Sequence, residues 1–268
     1  EKIVKIIKLF FKPKKILYFL SKIYIRKYEG FAYDFEINGE KKLIKLLSQK
    51  KFNIIFDVGA NRGDWSSVIL EEFNNAKIHT FELSKSTFKE IAQNLKSERV
   101  KHNNIGLSNI EGKISYKDYG EELDVMNTIV VNASYWDYKK QPEIKNASVN
   151  SGDNYCEKEG IDFIDFLKID VEGSENLVLE GFSKMLKQKK IRIIQFEYGY
   201  LNGDQHFLMK DFFNFFENFG YEVGVLKPQG VIFKKFSYEL NNFLSGPNFI
   251  AIIKSDFEIK NLIINNEE

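Results

Sequence analysis

With 268 residues, 43% hydrophobic and 29% charged, the chain has room for one large α/β domain or two small ones, and its balance excludes a disordered or fibrous protein. A lone cysteine, Cys156, excludes a disulfide framework or a cysteine metal cluster and fits a reducing cytoplasm. The net charge of +1 hides an asymmetry: residues 1–28 hold nine Lys/Arg against Glu1 alone, about +8, which leaves about −7 for the remainder.

Residues 1–40 read as a basic helical segment and 41–268 as the main domain. Lysines alternate with apolar residues over 1–28, and Pro13 divides them into two short helical pieces. Ile3, Ile6, Ile7 and Phe10 share one face, and Leu17, Leu20 and Tyr24 form another. Such a segment suits peripheral contact with an anionic membrane, an acidic partner, or a cap packed on the domain with its lysines solvated. It is no signal peptide, because charges interrupt every apolar core, and no apolar run reaches the roughly 18 residues of a spanning helix. The opening at Glu1, without methionine, fits a piece of a longer protein.

Glu40 to Gln49 reads as a helix through Leu43, Leu46 and Leu47. It leads into Asn53-Ile54-Ile55-Phe56-Asp57-Val58-Gly59-Ala60-Asn61-Arg62-Gly63-Asp64-Trp65. The apolar run is that of a strand buried on both faces, and a helical pattern follows through Trp65, Val68, Ile69 and Phe73. Strand, glycine turn and helix form the unit that holds a nucleoside-bearing cofactor at the carboxyl edge of an α/β sheet. The glycines stand four apart, unlike G-x-G-x-x-G, and no Lys-Ser/Thr pair follows, which argues against a dinucleotide or a P-loop ligand. The acid Asp57 at the strand end suits a cofactor with a cationic amine, which favours S-adenosylmethionine over NAD or ATP.

Further on, Ala76–Glu82 is a second strand, Ser84 caps a helix carrying Phe88, Ile91 and Leu95, and Val100–Ile105 is a third strand. Residues 109–160 read as an irregular insertion. It holds a short strand at Ile114–Tyr116, another at Met126–Val131, and an aromatic stretch at Tyr135, Trp136 and Tyr138 that covers the substrate side or forms a surface hairpin. Phe166–Asp170 is a fourth strand, with a helix from about Asn176 loosened at Gly181, and Ile191–Phe196 is a fifth. Leu208, Phe212, Phe215, Phe216 and Phe219 mark a core-facing helix. Tyr221–Leu226 and Asn248–Lys254 are strands with no helix between them, so the last strand should run antiparallel in an otherwise parallel sheet.

Four strand ends carry acids: Asp57, Glu82, Asp170 with Glu172, and Glu197. Ligands of open α/β sheets bind beyond such ends. Glu82 lies 23 residues after Gly59, the interval of a carboxylate that accepts ribose hydroxyls. Together with Asn104-Ile105-Gly106-Leu107-Ser108, Asn109-Ile110-Glu111-Gly112, Phe163 to Glu175 with its Lys168-Ile169-Asp170-Val171-Glu172-Gly173-Ser174-Glu175 block, and Gln195-Phe196-Glu197-Tyr198, these segments resemble the FkbM family of S-adenosylmethionine-dependent methyltransferases over about residues 52–200. Leu83 stands where that family usually has proline.

The resemblance implies a Rossmann-like class I fold, a seven-stranded and mostly parallel sheet with an antiparallel last strand. It implies O-methyl transfer, often to a sugar hydroxyl in a glycan, nucleotide sugar or glycolipid, with a non-sugar metabolite as the alternative acceptor. It also implies that Asp57, Gly59, Ala60, Asn61 and Gly63 line the methionine end of the cofactor. Glu82 would hold the ribose, Asn103, Asn104 and Ile105 would border the adenine, and Asp170 would lie near the reactive methyl. A hydroxyl acceptor calls for a base. Asp170 or His206 is the first choice, with Glu172 and Glu197 orienting; a divalent cation such as Mg²⁺ on Asp170, Glu172 and Glu197 is the other. His79 and His102 read as structural. The Asp170-Val171-Glu172-Gly173 block replaces the Asn/Asp-Pro-Pro-aromatic block of base methylation, which argues against a nucleic-acid substrate. Two rivals are a nicotinamide dehydrogenase, for which no hydride-transfer set is present, and a non-catalytic scaffold. Oligomeric state is not legible.

Overall fold

The computed structural model describes residues 13–130, 132, 137, 139–243 and 246–265. The face through Ile3, Ile6, Ile7 and Phe10 and the aromatics Tyr135, Trp136 and Tyr138 lie outside these residues.

The apolar runs read from the sequence become the centre of one sheet. Strand β1 (Ile54–Val58) lies between β2 (Lys77–Phe81) and β7 (Ile164–Ile169), parallel to both. Outward from β2 comes β3 (Val100–Asn103), and outward from β7 comes β8 (Ile191–Glu197), again parallel. The late strand β11 (Asn248–Ile253) inserts antiparallel between β8 and β9 (Tyr221–Lys227). The order is β10-β9-β11-β8-β7-β1-β2-β3, eight strands where seven were expected. The extra strand, β10 (Gly230–Phe233), pairs antiparallel with β9 across a tight turn at Pro228 and Gln229. It is too short and too near Lys234 and Lys235 to show an apolar pattern in the sequence.

Alternation on the central strands divides the core. Ile55 and Phe166 face a layer made by α2 (Glu40–Leu47), α3 (Asp64–Glu72) and a C-terminal helix (Phe257–Ile263). Phe56, Leu167 and Ile169 face the opposite layer, where Phe182, Phe212 and Phe216 pack. The helix Met209–Asn218 turns the expected Phe212 and Phe216 inward, with Phe215 and Phe219 half-buried beside them. Met209, not the expected Leu208, is the buried residue at its start, and Leu208 is exposed. Because β1 and β7 are neighbours while the chain leaves them toward opposite edges, the sheet reverses direction between them, and a crevice opens beyond their carboxyl ends.

The stretch read as an irregular insertion is more ordered than expected. A three-stranded sheet forms from β4 (Gly106–Ser108), β6 (Glu143–Ser151) and β5 (Gly112–Asp118). A 3₁₀ turn (Glu121–Met126) and the α-helix Gly152–Glu159 complete the stretch. The strand expected at Met126–Val131 reduces to a single bridge between Thr128 and Lys117. β6 went unread because most of its side chains are polar and exposed, so no apolar alternation marks it. This small sheet butts against the helix Glu175–Gly181, and the contact is close: a Cβ on Gly181 would lie 2.0 Å from the Ser108 carbonyl oxygen.

The first helix among the described residues, α1, spans Pro13–Tyr28. None of its side chains described, 14–28, is buried. It is tied to the domain just past its end, where Lys227 Nζ donates to both the Glu29 carbonyl and its carboxylate. Among the described residues no helix is long and apolar enough to cross a membrane.

Replacing glycine by alanine near a helix end commonly stabilises by about 0.4–1 kcal/mol. Gly181→Ala should reverse that sign in urea unfolding, because the added methyl meets the Ser108 backbone.

Candidate functional site

Two clefts meet at the carboxyl edge of the sheet, and the turn after β1 shapes the first. The Gly59 and Ala60 amides both donate to the Phe81 carbonyl, at 3.0 Å each, which ties the turn to the end of β2. Gly59 has φ +81°, and a Cβ there would lie 1.8 Å from the Asp170 carbonyl oxygen, so only glycine lets the β1 and β7 tips approach this closely. Asn61, at φ +45°, takes the left-handed conformation that asparagine tolerates. Glu82 then clamps the turn: Oε2 accepts the Asn61 amide (3.0 Å) and Oε1 accepts the Ser84 amide (2.8 Å). Burial, opposed only in part by those two donors, raises the Glu82 carboxyl to about 7.

Gly59, Asn61, Glu82 and Asp170 line this first cleft. The other expected cofactor residues serve it from behind. Asp57 is fully buried; its Oδ2 accepts the Ser66 hydroxyl (2.7 Å) and Lys168 Nζ stands 3.6 Å from its Oδ1, so it supports the turn without facing the cleft. Ala60 packs with Ile91 and Leu95, and Gly63 gives way to Ile91 at the start of α3. Asn103 donates to the Thr80 carbonyl and accepts from Tyr155, Asn104 donates to the Glu82 carbonyl, and Ile105 packs on the core. The apolar wall is instead Leu83, Leu107, Ile114 and Val149, three of them from the small sheet. Only Leu83 and Leu107 had a sequence signal, through the motifs they adjoin. His79 and His102 are structural as read, hydrogen-bonded to Tyr155 and to Thr80.

The second cleft adjoins the first and shares Val125, Asp170 and Glu172 with it; Tyr33, Glu197, Tyr200 and Asn202 also line it. Asp170, Glu172 and Glu197 each place one carboxylate oxygen within 4.8 Å of the others, near enough to share a proton or a cation. Lys168 decides between these three. Buried on β7, its Nζ donates to Asp170 Oδ2 at 3.1 Å. Burial would lift the Asp170 carboxyl, but the Lys168 charge and a hydrogen bond from Glu197 outweigh it and hold Asp170 below the usual range. Burial and the charge on Asp170 push Glu172 and Glu197 well above theirs.

The loop carrying these acids is held against strain. Glu172 sits at φ +53°, which costs a side-chain-bearing residue about 1–2 kcal/mol. Three hydrogen bonds over-determine it: Glu175 Oε1 accepts the amides of Val171 (3.0 Å) and Gly173 (3.2 Å), and Thr128 Oγ1 donates to the Glu172 carbonyl (2.6 Å). Glu175 is fully buried, raised to about 7, and takes a further bond from Asn202. His206 does not join this group. It follows the short helix Tyr200–Asp204 at φ +55°, is exposed, and lines neither cleft.

A glycine turn beyond the first strand, an acid at the tip of the second and a ligand crevice at the sheet's reversal define a class I methyltransferase. The family model for the FkbM methyltransferase domain matches residues 57–223, and the chain belongs to that family. It is a S-adenosylmethionine-dependent methyltransferase. No match was found among curated proteins. Three solved structures resemble it loosely. A precorrin-6y C5,15-methyltransferase from Geobacter metallireducens is 14% identical (78% of this chain, 83% of that one, TM-score 0.41). A TehB-like S-adenosylmethionine-dependent methyltransferase from Corynebacterium glutamicum is 13% identical (81% and 86%, TM-score 0.40). The O-methyltransferase TomG from Streptomyces achromogenes is 12% identical (80% and 79%, TM-score 0.41).

The first cleft fits the cofactor. Each Glu82 oxygen accepts one backbone amide and keeps a lone pair for a ribose hydroxyl. Leu83, Leu107, Ile114 and Val149 offer an apolar face to the adenine. The Ser174 hydroxyl, buried on the lining, has no hydrogen-bond partner among the described residues and is placed to take one from the ligand. Because the ionised Glu82 is the better acceptor, affinity for S-adenosylmethionine should rise with pH through about 7 and level off above it. Glu82→Gln should flatten that profile and weaken binding about ten- to a hundredfold in calorimetry; an unchanged affinity and profile would move the ribose elsewhere.

Proposed function

We propose that this chain transfers the methyl group of S-adenosylmethionine to a hydroxyl oxygen of a sugar, carried in a glycan, nucleotide sugar or glycolipid. The observation that carries the reading is the sharing of Asp170 and Glu172 between the two clefts, with Glu197 opening on the second alone. Carboxylates at that boundary suit an acceptor that must lose a proton as it is methylated. Tyr33 and Tyr200 in the second cleft add aromatic faces on which a sugar's C–H groups can lie, while Glu197 and Asn202 are placed to bond its hydroxyls.

When bound, S-adenosylmethionine supplies a methyl already activated by a cationic sulfur. The protein's task is to align the oxygen and to take its proton. Alignment is worth up to about 7–11 kcal/mol in the best intramolecular cases. A hydroxyl is almost wholly unionised at neutral pH, so a base adds typically about 10²–10⁴-fold. Asp170, favoured from the sequence, is held ionised and low by Lys168, which makes it the weaker base and the better orienting group. Glu172 stands at the boundary with its carboxyl raised toward the working pH, and we assign it the proton. The proton leaves the acceptor oxygen for the Glu172 carboxylate as the O–CH₃ bond forms and the S–CH₃ bond breaks. Glu197 shares a proton with Asp170 and sets the acceptor's angle. The lysine already balances this acid group, so a shared proton, not Mg²⁺, is the arrangement we favour.

Trial methylation of nucleotide sugars and surface glycans, read by mass spectrometry, tests the acceptor class. On whichever acceptor is methylated, Glu172→Gln should lower kcat by about 10²–10⁴-fold with calorimetric cofactor affinity nearly unchanged. The acid limb of the rate profile should lie above the ordinary glutamate value, since Glu172 must be ionised to accept the proton. Activity should survive excess EDTA. A loss that Mg²⁺ restores would transfer the role to a cation on the three acids, and full turnover by Glu172→Gln would return it to Asp170.

A further inference from the structure

We infer that α1, the helix Pro13–Tyr28, docks on an anionic lipid surface and holds the acceptor cleft beside it. The helix has five basic residues, Lys14, Lys15, Lys22, Arg26 and Lys27, and no acid. At helical spacing Ile16, Leu17, Phe19, Leu20, Ile23 and Tyr24 make one apolar arc of about half the circumference. Lys15, Lys22 and Arg26 gather along one edge of that arc, and Lys27 falls within it in the last turn. That arc is open to solvent: Leu17 is 66% and Tyr24 70% exposed. A helix of 16 residues is marginal in water without packing, so this one calls for a surface.

The charge selects which surface. Two copies paired through this arc would bring ten cations together with no acid on either helix to offset them. An anionic bilayer instead takes the apolar arc and draws the flanking cations to its headgroups. Attachment is also built in. Past Tyr28 the chain turns at Gly30, at φ +63° against Pro228, and Lys227 grips Glu29. Three residues beyond Gly30, Tyr33 lines the acceptor cleft. A docked α1 therefore brings the mouth of that cleft near the lipid surface, where an acceptor carried on lipid would be presented.

The test is flotation of the full chain with vesicles of phosphatidylcholine alone or mixed with phosphatidylglycerol, at low and high NaCl, with S-adenosylmethionine calorimetry on every protein as a check of folding. The unmodified chain should float with the anionic vesicles only, and less so at high salt. Lys15→Glu/Lys22→Glu/Arg26→Glu should reduce partition at least about a hundredfold, from roughly a tenfold factor per 1.4 kcal/mol and about one such interaction for each cation. Leu17→Glu/Leu20→Glu/Tyr24→Glu should abolish it with cofactor binding intact. Equal flotation with neutral vesicles, undiminished flotation of either variant, or no flotation of a chain that binds cofactor would overturn the docking and leave the methyl-transfer reading standing. A dimer in light scattering that the apolar variant splits, without flotation, would assign the arc to a second copy and overturn it equally.

Discussion

A single buried cation sets the geometry on which the rest depends. Lys168 lies near the carboxyl end of the central strand β7, where its ammonium is out of water and needs anions to remain charged. They come from both sides of the crevice: Asp57, opposite Lys168 in the β1–β7 register, and Asp170 just past the end of β7. Removing one partner of such a group typically costs about 3–5 kcal/mol, because a lone charge stays behind in the interior. That penalty keeps the two strand tips at matching height. The same matching brings Gly59 onto the Asp170 carbonyl, which only a residue without Cβ permits.

The ion group reaches the chemistry through charge. Lys168 keeps Asp170 ionised, and the ionised Asp170 in turn lifts Glu172 and Glu197. Three acids in one place thus divide into a fixed anion and two groups that can exchange protons, as clustered carboxylates do. On the other side of the sheet end, Glu82 gains its raised carboxyl from burial, and its two oxygens tie the Asn61 amide of the turn after β1 to the Ser84 amide beyond β2. Glu82 and the Asp170 group are therefore separate acids with distinct surroundings, joined by the Gly59–Asp170 contact.

Much of this was legible in the residues. The five parallel strands, the antiparallel β11 and the Phe-rich helix followed from apolar periodicity, because their buried faces leave little choice of residue. Acids at strand ends located the crevice. The apolar wall of the first cleft was not legible, since Ile114 and Val149 sit in strands made largely of polar residues, with no sustained apolar alternation to mark which face meets the cleft. Nor could sequence separate Asp57, a buried counter-ion, from Gly59, a lining residue two positions on: both belong to the same motif, and only depth distinguishes them. His206 stands apart from the clefts for a related reason. Its place after β8 put it near the right edge, but a left-handed turn carries it outward.

The most direct measurement is a crystal structure with S-adenosylhomocysteine. The ribose should bond Glu82, the adenine should lie along Leu83 and Leu107, and the sulfur should point to the Asp170–Glu172 boundary, open to Tyr33 and Tyr200. A ligand seated away from the β1–β7 crevice, or one whose sulfur faces away from those acids, would contradict the account.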